Sequence, residues 1–177
     1  MTDTKTKILD LAESLTQTRG FNGFSYIDLA NEIGIKTASI HYHFKLKDDL
    51  AAALVERLRE QHALGFAAME AANETPEGRL QAAIDYFKGY LAKEEFCMCG
   101  MMAAELQSVS PRVASLVKAY FRDFEAWLYK QFELAGRENA DELAIGFLST
   151  LEGSLLIARL TGDADVISKA LKGYLKE

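Results

Sequence analysis

Apolar residues recur along this chain at intervals of three and four, and hardly anywhere at intervals of two. Ile8, Leu11, Ala12 and Leu15 mark one face of a first helix, which Gly20 ends. Phe21 and Phe24 follow as loop residues expected to plug a small core. Ser25 with Asp28 is a capping-box pattern opening a second helix, whose stripe is Leu29, Ala30 and Ile33. Gly34 suits the left-handed residue that ends such a helix. Thr37 is the expected N-cap of a third helix, with Ile40 and Phe44 turned inward four residues apart. Helix, glycine turn and helix over residues 25–44 make a helix-turn-helix arrangement.

Beyond Lys47 the helices lengthen. Leu50, Leu54 and Leu58 begin a fourth that runs toward Ala72, and Thr75 with Pro76 opens a fifth carrying Leu80, Ile84, Phe87 and Leu91. After the short segment FCMCGMMAAEL, Ser110 and Pro111 open a long helix through Val113, Tyr120, Phe124, Trp127 and Phe132 to Gly136. Asn139 with Glu142 reads as a second capping box, for a helix ending near Gly162, and Asp163 opens the last. No strand or hairpin pattern occurs. The expected fold is all-α with about nine helices. A small three-helix unit, residues 1–46, is expected to precede a larger helical bundle, residues 47–177.

Charge changes this picture only locally. The 177 residues carry a net charge of −6, which in bulk argues against nucleic acid. Between Ile33 and Lys47, however, there are three lysines and no acids. With the polar start TDTKTK, no signal peptide is expected. The apolar stretch LAIGFLSTLEGSLLIARL contains Glu152 and Arg159, so no membrane span is expected. Cys97 and Cys99, two apart, form no disulfide framework, and a cytoplasmic protein is the expectation.

KTASIHYHFKLKDDL holds the densest chemistry. His41 and His43 are two apart, whereas a helical metal pair needs four, so no metal is expected there. Ala38 and Ser39 are small enough for close approach to base edges. Ser, His and Tyr side chains donate hydrogen bonds, and Lys45 and Lys47 suit phosphates. No nucleophile–base constellation and no phosphate-cradling glycine loop is present, so neither catalytic residues nor a cofactor are expected.

The run ILDLAESL…RGF…FSYIDLANEIGIKTASIHYHFKLKDDL resembles the TetR family of bacterial one-component repressors. The resemblance implies phosphate or sugar contacts from Ser25, Tyr26, Lys36 and Tyr42. It places Thr37, Ala38, Ser39, His41 and His43 at the major groove and makes Lys47 a phosphate-gripping lysine. Many members have Gly where this chain has Ala38 and Tyr where it has His41. Some have a base-reading Arg where it has Ile27, and each difference bears on the operator sequence. The family further implies a homodimer through the last two helices, with Gly146, Ser149 and Gly153 allowing close approach, and a duplex operator that is nearly palindromic. It implies a repressor released by a small-molecule effector, and among the aromatic and methionine side chains of the central helices Phe66, Met101, Met102, Phe124 and Trp127 are candidates to line its pocket, with plain core as the alternative. FCMCGMMAAEL is similar to a Gly-Cys-Leu…Ala-Glu segment of a subgroup in which some members sense electrophiles or oxidants. That makes Cys97 a candidate sensing thiol with Cys99 beside it. Buried structural thiols, or a metal-responsive regulator using Cys97, Cys99 and His62, are the alternatives.

Overall fold

Ser25 does what its spacing predicts. Its hydroxyl accepts from the Asp28 backbone N–H while the Asp28 carboxylate accepts from the Ser25 N–H, and the helix that follows ends at Gly34 in the left-handed conformation. The computed structural model describes residues 3–91 and 93–175, and these contain helices and turns without strands. The helices are α1 (Thr4–Arg19), α2 (Tyr26–Ile33), α3 (Thr37–His43), α4 (Lys47–Ala72), α5 (Pro76–Leu91), α6 (Met98–Ala104), α7 (Pro111–Leu134), α8 (Ala140–Thr161) and α9 (Asp165–Leu171). Short 3-10 turns occupy Phe21–Gly23, Leu106–Ser108 and Lys172–Leu175.

Three local expectations fail at helix starts. Lys36, not Thr37, is the N-cap of α3, and it caps through its backbone alone. Asn139 precedes α8 with no side-chain hydrogen bond, so the second capping box does not form. The last helix begins at Asp165. Asp163 stays outside it and accepts the Asp165 N–H at 2.9 Å.

Packing divides the chain into two compact units. One comprises Met1–Leu58 with Met98–Tyr120, the other Arg59–Cys97 with Phe121–Glu177. The helix-turn-helix therefore shares its unit with α6 and the first part of α7, and this unit does not end at the expected boundary of 46/47. In the first unit Ile8, Ala12, Leu29, Ile40, Phe44, Leu50 and Leu54 are fully or nearly fully buried. Arg57 of α4 forks onto Asp10 at 2.6 Å and onto Glu13, fastening α4 to α1. In the second unit Phe66 stacks on Trp127 with centroids 4.5 Å apart, and Phe87 stacks on Phe124 at 5.3 Å. His62 meets Phe66 and Phe87 edge-on, each at 5.6 Å. Pairs of this kind contribute about 0.5–1.5 kcal/mol each beyond area burial.

Candidate nucleic-acid interface

α3 is held from below and open above. Ile40 and Phe44 are buried, while Lys36, Ala38, His41 and Tyr42 are exposed and Thr37, Ser39 and His43 are half-buried. Tyr42 is 83% exposed, and its ring meets that of His43 edge-on at 5.1 Å. Thr4, Ile35, Lys36, Ala38, Ser39, Tyr42 and His43 line a shallow depression of about 380 Å³. Ile27 and Leu46, at 62% and 66% exposed, add apolar surface to the same unit. Sequence reasoning missed Thr4, at the start of the first helix, and Ile35, which read only as a turn residue. It had gathered the other residues that α3 presents.

His41 Nδ1 lies 3.2 Å from the Lys45 carbonyl, which requires the proton on that nitrogen. Its ring also stands edge-on to Tyr26 at 4.9 Å. His41 is thus held in one orientation while remaining exposed.

Three residues assigned to phosphate contacts are committed elsewhere. The Tyr26 side chain is buried and its hydroxyl donates to the Leu46 carbonyl at 2.7 Å. Burial, reinforced by Asp49, pushes its phenol up to about 12. Tyr26 is a packing residue that fixes the end of α3 against the start of α4. The Ser25 hydroxyl is taken up by Asp28 at 2.7 Å. Lys47 turns its ammonium inward, donating to the carbonyls of Phe21 at 2.6 Å and Phe24 at 2.5 Å. The same ammonium lies 4.7 and 4.5 Å from the ring centroids of Phe21 and Phe24. Burial lowers the Lys47 pKa, against the opposing pull of Glu105 and Asp28. This lysine grips the turn between α1 and α2.

The residues expected to line an effector pocket belong to both units. Phe66, Phe124 and Trp127 come together as a packed aromatic cluster of the second unit. Met101 and Met102 lie on α6 in the first. Cys97 and Cys99 are both buried. The Cys97 thiol hydrogen-bonds the Glu152 carboxyl, which burial pushes up to about 7. Glu152 shows part of its stem to solvent, but its Oε1 is shut off. A buried thiol beside a carboxylate is the reverse of the exposed, electropositive setting of a reactive cysteine. His62 is buried among aromatic rings, which lowers it to about 4, and among the described residues no cluster of three or more His, Cys, Asp or Glu is placed to hold a metal ion. The metal-responsive alternative is not supported.

Gly146 is not on an open face. A side chain there would meet the Tyr174 hydroxyl at 2.9 Å, so this glycine makes room for a neighbour in its own chain. Ser149 and Gly153 are exposed, with nothing within 4 Å of a Cβ at Gly153. They lie in a stripe with Ile145, Leu156, Ile157 and Leu160, whose exposures run from 47% to 86%. α8 is long and apolar enough to cross a membrane by length and composition. Its opposite side, however, buries Ala144, Phe147, Leu148, Leu151, Leu155 and Ala158 in the second unit.

Residues 8–54 match the family model described as bacterial regulatory proteins, tetR family. Residues 76–172 match the transcriptional regulator LmrA/YxaF-like C-terminal domain. The chain is similar to a TetR transcriptional regulator from Legionella pneumophila, with 32% identity, a TM-score of 0.94 and coverage of 98% of this chain and 96% of that one. It is similar to a TetR-family regulator from Agrobacterium tumefaciens, with 33% identity, a TM-score of 0.91 and coverage of 97% and 95%. An HTH-type transcriptional regulator in the lacX 3' region of Lactococcus lactis is 22% identical, over 93% of this chain and 88% of the relative.

Proposed function

Because the chain belongs to the TetR family of helix-turn-helix transcriptional regulators, we propose that it is a homodimeric repressor of a nearly palindromic operator, working in the cytoplasm and released by a small apolar effector. The observation that carries this reading is the outward face of α3. Lys36, Ala38, His41 and Tyr42 are exposed beside Thr37, Ser39 and His43, on a helix pinned by Ile40 and Phe44. Lys36 and Lys45 are the lysines free to face phosphates there, and small residues at the helix start permit close approach to bases. Pairing two such helices on successive turns of a duplex requires a separation of about 34–36 Å. The exposed stripe of α8 supports a second copy as its cover.

The burial of Cys97 and its carboxylate neighbour favour an apolar ligand over an electrophile as effector. Such a ligand would act by binding better to the form whose paired α3 helices miss the grooves. Selecting duplexes from a random pool, together with sedimentation of the free protein, tests the reading. A nearly palindromic selected site and a dimer are expected. A stable monomer that enriches no sequence would overturn it.

A further inference from the structure

The turn at residues 20–24 is gripped from two sides, and only one grip comes from α4. On the other side stands Glu105, just after α6. Its Oε2 accepts from the Asn22 backbone N–H at 3.1 Å and from the Asn22 side-chain amide at 2.9 Å. The same amide donates to the Ser108 hydroxyl at 2.6 Å, and that hydroxyl donates to the Glu105 carbonyl at 2.7 Å. Gly20 has φ +85°, and a Cβ there would collide with Glu105 Oε1, so the glycine serves both the turn and the carboxylate's approach. Lys47, whose ammonium holds the carbonyls of this turn, also feels the Glu105 charge. Two charged side chains of opposite sign therefore hold one five-residue turn from elements far apart in sequence.

That turn sets how α1 meets α2, and α2 carries α3. An isolated helix-turn-helix unit would need none of this, since its own core is already closed by Ile8, Leu29 and Ile40. We propose that Glu105, through Asn22, is a positioning residue for DNA recognition, fixing the orientation of α2 and α3 so that α6 and the helix-turn-helix act as one body. This goes beyond the operator-binding reading but rests on it. Loosening the clamp leaves the residues of α3 intact and lowers the fraction of molecules whose recognition helices are aligned, and apparent affinity falls by that fraction. Binding to arbitrary duplex depends on phosphate charge rather than alignment, so it escapes the loss.

The experiment uses the full chain and two fluorescent duplexes: one selected from a random pool by the unmodified protein, and one of random sequence and equal length. Asn22→Ala, Glu105→Gln and the double variant are compared with the unmodified protein at one salt concentration. Each single variant is expected to bind the selected duplex about tenfold more weakly, with the double variant no weaker than the worse single. Random duplex should be bound within about threefold of the unmodified protein, since neither change touches a phosphate-facing lysine. Unchanged preference for the selected duplex, or losses that add in the double variant, would overturn the proposal. So would parallel loss of both duplexes with a falling melting temperature, which would mark a purely structural role. An unmodified protein that enriches no duplex would instead bring down the operator-binding premise, and this proposal with it.

Discussion

Lys47 carries the clearest lesson at the scale of single residues. A lysine after a recognition helix reads as a phosphate ligand, because sequence reports charge and position but not direction. Here the ammonium reaches back 23 and 26 residues to two carbonyls, and desolvation makes those bonds matter more than an exposed ion pair would. Lys47→Met should therefore lower stability by about 2 kcal/mol, as two carbonyls lose a charged donor. Urea unfolding measures this. Weakened DNA binding with unaltered stability would restore the phosphate role. Tyr26 is alike in this, since its hydroxyl already donates to the Leu46 carbonyl. In the sequence Glu105 is visible only as the acid of FCMCGMMAAEL. Nothing near it in sequence indicates a partner at Asn22, 83 positions away.

Two titrating residues act against each other. Burial raises Glu152 to about 7 from 4.5, so its contribution to stability is present below about 4.5 and lost as pH rises through 7. Burial lowers His62 to about 4 from 6.5, so its contribution is present above about 6.5 and lost as pH falls through 4. Between about 4.5 and 6.5 the two slopes have opposite sign and nearly cancel. Glu152→Gln should leave a protein whose stability rises with pH across that window, and His62→Leu one whose stability falls. Urea midpoints at pH 5 and pH 6.5 decide it, and slopes of the same sign in both variants would refute the pairing.

At the scale of elements, α8 is two-sided. One side is core, and the other is a stripe of Ile145, Leu156, Ile157 and Leu160 flanking an open Gly153. At Gly153 a Cβ has open space within 4 Å and Leu replaces a poor helix former, so the monomer should be as stable as before, or more stable by up to about 1 kcal/mol. If a second copy covers this stripe, the added side chain would crowd it, at a cost of about 1–3 kcal/mol per site. Sedimentation equilibrium should then show weaker self-association with no fall in melting temperature. Unchanged association would place the dimer contact elsewhere. Most helices were legible because a period of three to four is visible in any amphipathic stretch, and the caps at Ser25 and Thr75 use side chains. Asn139 marked the start of α8 correctly but caps it without its side chain, whereas Asp163 holds an amide two residues ahead without entering α9.

For the whole molecule, the division at 46/47 followed the lengthening of helices along the chain. Packing drew another line, because Met98–Tyr120 returns to the first unit. Periodicity cannot reveal such a return, since hydrogen bonds across 83 and 86 positions leave no local trace. Salt dependence belongs to this scale too. With the Lys47 ammonium turned inward, Lys36 and Lys45 are the exposed lysines around α3, within a chain of net −6. Lys36→Ala should flatten the slope of log affinity against log salt by about one per protomer. An unaltered slope in a filter-binding titration would show that Lys36 meets no phosphate.

The return of residues 98–120 also bears on protein engineering. Regulators of this shape invite grafting, in which the reading head of one is joined to the sensing part of another to rewire a genetic circuit. A seam at position 47 would set a foreign 20–24 turn against the native Glu105 and Ser108, and an incoming side chain at position 20 would strike the carboxylate. A graft that transplants Glu105 and Ser108 together with the head should switch cleanly. One cut only at the obvious seam should bind its new operator poorly while still folding, and a reporter assay comparing the two grafts would show the difference.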